Sequence, residues 1–188
     1  VCRTLDEAIA DSGFVVGATA RPRSIAWPSS DPASVMTELL ARSQAGKVSL
    51  LFGREASGLT NEELDRCQRH VRIPANEDYP SLNLAAAVLI FCYELRRACS
   101  ADVGLADGEI DRSVPLASAE QVQGFFQHLE MVLNEIGFLK SPSVRLMRKI
   151  KRIFSRTPLQ EQEVNILRGI LTSVQYHQPH GKDQENDR

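Results

Sequence analysis

No apolar run in the chain reaches the roughly 18 residues needed to cross a bilayer. The longest candidate, 82–93, is interrupted by Asn83, so no membrane span is expected. No basic segment followed by an apolar core and a small-residue cleavage site marks the N-terminus, and the expected compartment is the cytoplasm. The four cysteines (Cys2, Cys67, Cys92, Cys99) show no C-x-x-C spacing, and His70, His128, His177 and His180 form no partner set for them. That pattern argues against a metal site. Neither a G-x-G-x-x-G nor a P-loop is present, which removes the common signatures of dinucleotide and nucleoside triphosphate sites. A large excess of one charge is missing too. With 22 basic and 24 acidic residues the net charge is -2, which excludes whole-molecule attraction to nucleic acid but leaves room for a local patch.

What is present is the composition of a folded chain, 43% hydrophobic and 24% charged. Thr4-Leu5-Asp6-Glu7 reads as a capping box opening a helix that ends near Asp11. Phe14-Val15-Val16-Gly17 then predicts a strand buried on both faces. Residues 18–32, with three prolines and Arg21-Pro22-Arg23, predict a stiff basic loop. A helix over 33–45 and a buried strand over 48–52 follow. Thr60-Asn61-Glu62-Glu63 caps a helix ending near Cys67, 71–73 reads as a short strand closed by Pro74, and 82–98 as a long buried helix. Strands alternating with helices imply an α/β fold with a parallel sheet over 1–99. A linker at 100–117 leads to an all-α extension over 118–175. There Ser118 caps a helix with a stripe of Val122, Phe125, Phe126, Leu129, Leu133 and Ile136, while Ser141-Pro142 and Thr157-Pro158 open two more. The polar residues 176–188 read as a disordered tail.

Two segments carry chemistry. In Leu51-Phe52-Gly53-Arg54-Glu55-Ala56-Ser57-Gly58-Leu59-Thr60 a strand ends in a charged, glycine-flanked turn that opens a capped helix. Ligands of open α/β sheets bind at such carboxyl ends, and glycines let backbone approach them closely. In Ile73-Pro74-Ala75-Asn76 followed by Ser81-Leu82-Asn83-Leu84-Ala85 a second strand end precedes a helix start, where the Ser81 side chain and free amides suit a polar ligand. Taken singly, each segment is equally one more strand-to-helix turn, with Ser81 a helix cap.

Taken together and in this order, the two segments resemble motifs two and three of the SpoU-type (SPOUT) RNA ribose 2'-O-methyltransferases. Val15-Val16-Gly17-Ala18-Thr19-Ala20-Arg21 with Trp27-Pro28 is similar to the TrmJ-type branch, which acts on position 32 of the tRNA anticodon loop. The resemblance covers about residues 4 to 98, and the remainder matches that branch's extension in size and style. It implies a trefoil-knotted α/β fold, a homodimer, and S-adenosylmethionine held at Ala18, Thr19, Phe52, Gly53, Ile73, Ala75, Ser81 and Leu82. It also implies roles in the catalytic pocket for Glu55 and Asn83, with Ser81 as a candidate for managing the hydroxyl proton. The family's first motif, an asparagine and a catalytic arginine, is expected upstream of Thr4, on residues preceding Val1 in the natural protein. Without it, residues 1–188 are expected not to methylate RNA at a useful rate, and a non-catalytic RNA-binding relative is the alternative from another class. A relative acting on ribosomal RNA or another tRNA position is the alternative within the enzymes.

The extension makes a separate argument. Arg145, Arg148, Lys149, Lys151, Arg152 and Arg156 fall within about a dozen residues, with no acidic residue between the first and last. Arg145, Arg148, Lys149 and Arg152 share a helical face, which reads either as a solvated surface or, because uncompensated cations repel one another, as a contact for a polyanion whose footprint Arg21 and Arg23 would extend.

Overall fold

The computed structural model describes residues 1–20, 29–76, 82–100, 115–139, 144–154 and 158–177. The first part comprises α1 (Leu5–Ile9), β1 (Phe14–Ala18), β2 (Ser29–Ser30), α2 (Pro32–Ser43), β3 (Val48–Leu51), α3 (Asn61–Leu64), β4 (Arg69–Val71) and α4 (Leu84–Ser100). The strands form a parallel sheet in the order β2-β4-β1-β3, with Val16 opposite Leu50 on one side and Arg69 on the other. The central strand is buried on both faces, as its unbroken apolar run predicts. Phe14 and Val16 pack with Val35, Met36, Leu39, Val71 and Phe91 beneath α2 and α4, while Val15 packs with Ile9 and Cys67 on the opposite face.

Several boundaries differ from expectation, each for a tertiary reason. The fourth strand begins two residues early because the Gln68 side chain accepts the Val15 amide at 2.7 Å while its own amide donates to the Val15 carbonyl at 2.9 Å. This seats β4 against β1 and lets Ile73 run past the end of the sheet. The third strand is only half-buried, because among the described residues it pairs only with β1. The loop at 18–32 contains β2, and α2 starts at Pro32, capped by Asp31. At the N-terminus Thr4 accepts the Glu7 amide as expected, but the Glu7 carboxylate takes the Arg3 amide instead of closing the box. The long helix α4 is not buried all round. Phe91 alone among its residues is buried, whereas Leu89 is 69% and Tyr93 61% exposed, because α2 covers a single stripe.

The helices α5 (Ala119–Glu135), α6 (Val144–Phe154) and α7 (Glu161–Tyr176) build a second core around Phe125, Val132, Val164 and Leu171. Hydrogen bonds from Gln121 to Glu161 near their starts and from Gln175 to Glu135 near their ends show that α5 and α7 run parallel. Ser118 caps α5 as expected, Gln121 completes a capping box with it, and the core takes Val132 while Ile136 faces solvent. The last helix begins at Glu161, three residues beyond Pro158, because Ala117 donates to the Leu159 carbonyl and a bridge joins Leu116 to Gln160. Tyr176, expected in the tail, is still helical. These helices dock on the sheet part, where Ala119 donates to the Ser12 carbonyl and Glu120 to that of Ala10. No helix of the described residues is long and apolar enough to cross a membrane.

Candidate active site

Parallel strands deliver their carboxyl ends to one edge, and a crevice opens where neighbouring connections leave the sheet in opposite directions. Here β1 has β3 on one side and β4 on the other, and the segments leaving all three strands converge on a cavity of about 260 Å³. Ala18 and Thr19 come from the end of β1, Phe52 to Leu59 from the turn after β3, Val71 and Ile73 from β4 and its continuation. Leu84, Ala87 and Phe91 of α4, with Leu82 just before it, close the cavity. Six of the eight positions assigned to the cofactor, namely Ala18, Thr19, Phe52, Gly53, Ile73 and Leu82, therefore share one wall, and Glu55 lines the same space. Ala75 is not among the lining residues. Ser81, Arg21 and Arg23 lie outside the described residues.

The turn after β3 is held by its own backbone. Arg54 and Gly58 exchange hydrogen bonds of 3.2 and 2.7 Å, and Gly58 sits at φ 68°, a left-handed conformation that favours glycine. Gly53 is required for a different reason from the expected one. A β-carbon there would overlap the backbone carbonyl carbon of Gly58 and the amide of Leu59, so its bareness serves the closing of the turn itself. Arg54 does not pair with Glu55. Its guanidinium grips both carboxylate oxygens of Glu63 at 3.0 and 3.1 Å, and Glu63 closes the capping box on Thr60. Glu55 is left exposed on the cavity wall with no ion pair among the described residues.

The hydrogen bonds from Arg54, then the Thr60 amide, hold the Glu63 carboxyl below the usual range. A depressed carboxyl stabilises the fold above the unfolded-state value, about 4.3 for glutamate, and loses that contribution as the pH falls through and below it. The melting-temperature gap between wild type and Glu63→Gln is thus expected to be widest near neutrality and to close in acid. Thermal unfolding from roughly pH 6 to pH 3 checks this, and a gap independent of pH would refute it.

Asn83 proves to be the cap of α4, its side-chain oxygen accepting the Ala86 amide at 2.7 Å, and it is not among the cavity residues. The sequence placed this helix start two residues too early. Phe91, Ala87 and Leu84 were missed as wall residues although their spacing puts them on one helical face. Burial pushes the Cys67 thiol up to about 12, which removes it as a nucleophile at neutral pH.

The basic helix is less uniform than its sequence. Arg145 and Lys149 are exposed, Arg152 is half-buried, and the Arg148 Nε donates to Asp65 at 2.6 Å. The neutralising acid missing from the local sequence comes from the end of α3. Lys151 lies over the Phe126 ring, 5.6 Å from its centroid, and burial lowers its pKa.

Residues 3–93 match the family described as SpoU rRNA Methylase, and residues 120–186 match the domain described as tRNA methyltransferase TrmJ, C-terminal domain. The chain is 43% identical over 179 residues to the tRNA (cytidine/uridine-2'-O-)-methyltransferase TrmJ of Sodalis glossinidius (strain morsitans), covering 95% of this chain and 70% of that one. It is 43% identical over 183 residues to the tRNA (cytidine/uridine/adenosine-2'-O-)-methyltransferase TrmJ of Pseudomonas aeruginosa (strain UCBPP-PA14), covering 93% and 71%. Among solved structures, TrmJ from Z. mobilis ZM4 superposes with a TM-score of 0.75 at 27% identity, over 93% of this chain and 73% of that one. A probable methylase family protein from Haemophilus influenzae Rd KW20 superposes with a TM-score of 0.52 at 38% identity, over 94% and 72%.

Proposed function

The chain belongs to the TrmJ branch of the SpoU RNA methylases, and from that premise we propose that it transfers a methyl group from S-adenosylmethionine to a ribose 2'-hydroxyl of tRNA, at position 32 of the anticodon loop. The observation that carries this reading is the meeting of three strand-end segments at a single cavity. Its chemistry fits the cofactor. Phe52, Leu59, Ile73, Leu82 and Phe91 offer apolar surface to a flat base, and the turn at Gly53 to Gly58 brings backbone donors and acceptors to its edge. The sulfonium supplies an already activated methyl when bound.

The chain's own residues have to bring a weakly nucleophilic hydroxyl within about 3–3.5 Å of that methyl and take up its proton. Glu55, exposed on the cavity wall and free of Arg54, is the carboxylate we assign to the incoming ribose. Ser81 keeps the role the family resemblance implies, as a cofactor contact and a candidate for handling the proton. Asn83 acts at one remove, by fixing the start of α4. The knotted course of the chain and a cytoplasmic location belong to the same reading. So does a homodimer, supported by the exposed Leu89 and Tyr93 on α4. Transfer of tritium from labelled cofactor into tRNA by the native protein, with nucleoside mass spectrometry locating a 2'-O-methyl group, tests the activity. Binding of cofactor and tRNA without transfer would favour the non-catalytic alternative.

The exposed cations of α6 hold the tRNA backbone. Phosphate contacts supply affinity that falls with salt and carry little sequence information. Replacing Arg145 and Lys149 with glutamine is expected to weaken tRNA binding and to flatten its dependence on log salt by up to about 0.9 per lost contact on duplex, or about 0.7 on single strands. Arg148 is left out because its guanidinium is engaged with Asp65. Filter binding across a salt series decides it, and an unchanged slope at unchanged affinity would move the RNA elsewhere, first to Arg21 and Arg23.

A further inference from the structure

The helix α3 is a single turn with each end tied to a different part of the molecule. At its start, Thr60 and Glu63 form the capping box, and Glu63 holds the guanidinium of Arg54, which belongs to the turn lining the cavity. At its end, Asp65 donates its amide to the Asn61 carbonyl at 2.8 Å and receives Arg148 of α6 on its carboxylate at 2.6 Å. One turn of helix has no hinge of its own, so a shift imposed at Asp65 is carried to Glu63 and Arg54.

The pair itself is in an unusual place. The side chains of Arg148 and Asp65 are only 25% and 17% exposed, in a seam lined by Arg66, Val122, Phe126, Lys151 and Phe154. Enclosed ion pairs are poor sources of stability, since apolar residues of similar volume often do as well, but they can hold a register. Here the register is that of α6, and the residues it orients outward are Arg145 and Lys149. Lys151, one turn along and desolvated, is drawn by Asp65 and repelled by Arg66 and Arg148, so the seam's charges are sensitive to how α6 sits.

We propose that Asp65 is a positioning residue: through Arg148 on one side and Glu63–Arg54 on the other, it links the RNA-facing helix to the cofactor turn, so that the two ligands bind cooperatively. The proposal rests on the reading of α6 and the cavity given above. Linkage requires the effect to be reciprocal, with each ligand changing the other's affinity by the same factor.

Affinity for S-adenosylhomocysteine, which has no methyl to give, is to be measured by calorimetry with and without saturating unmodified tRNA transcript. In the wild-type chain tRNA is expected to tighten it about fivefold or more. Asp65→Asn is expected to bring that ratio to within about twofold of one. Asp65→Leu combined with Arg148→Met, an apolar exchange expected to keep the seam folded, should do the same while its melting temperature stays close to wild type. Each ligand alone should still bind these variants. Two outcomes overturn the coupling by itself: a wild-type ratio of one with both ligands bound, or variants that retain the wild-type ratio. Failure of the wild-type protein to bind either ligand would overturn the functional reading, and this proposal with it.

Discussion

Gly53→Ala is expected to abolish cofactor binding and to lower the melting temperature by roughly 6–12 °C. The added β-carbon would overlap the backbone of Gly58 and Leu59, and backbone has no rotamer with which to step aside. Overpacking of this kind costs about 3 kcal/mol or more where relief is blocked, and 1 kcal/mol moves the midpoint by about 2–4 °C in a chain of this size. Relief would require opening the Arg54–Gly58 bridge, which would carry Phe52, Arg54 and Glu55 off the cavity wall. The control is Gly46→Ala, where a β-carbon meets nothing within 4 Å. Calorimetry with S-adenosylmethionine and thermal unfolding of both variants give the answer. Wild-type affinity in Gly53→Ala would show that the turn does not form the binding wall.

Phe91→Ala is expected to cost about 3–5 kcal/mol, because this ring, like the smaller Val71, belongs to both the core and the cavity wall. It is 2% exposed, packs with Phe14, Val35, Met36 and Val71, and meets Phe52 edge-on with ring centroids 5.5 Å apart. Truncation removes apolar contact and leaves a hole that α2 and α4 cannot close without shifting. Leu89→Ala, two residues earlier on the same helix, is expected to change the monomer's stability by no more than about 0.5 kcal/mol, because that side chain faces away from the core. In the proposed homodimer its effect would fall on self-association, which light scattering reads separately. Equal loss of stability in the two variants, measured by denaturant unfolding, would mean that α4 is packed on both faces.

Much of this molecule is legible along the chain. The central strand follows from the run Phe14-Val15-Val16, because only a strand covered on both faces lacks polar alternation. The capping box of α3 follows from Thr60 with Glu63 and the cap of α5 from Ser118, since the bonds that make them span three residues. Most of the cavity wall follows as well, because strand-end turns in a parallel sheet open at one edge whatever else the protein contains.

What is missing from the sequence is everything set by a partner distant along the chain. The Gln68 side chain moves β4 by two residues through a bond to Val15 that spans 53 positions. The demand for glycine at position 53 comes from the limb of the turn that folds back on it. The row of cations at 145–156 looks uncompensated because its acid, Asp65, lies 83 residues away, and α4 looks wholly buried because composition does not reveal which faces find a neighbour. Local hydrogen bonds and hydrophobic period determine which elements form. Register, exposure and charge pairing depend on which surfaces meet, and those surfaces exist only once the chain has folded.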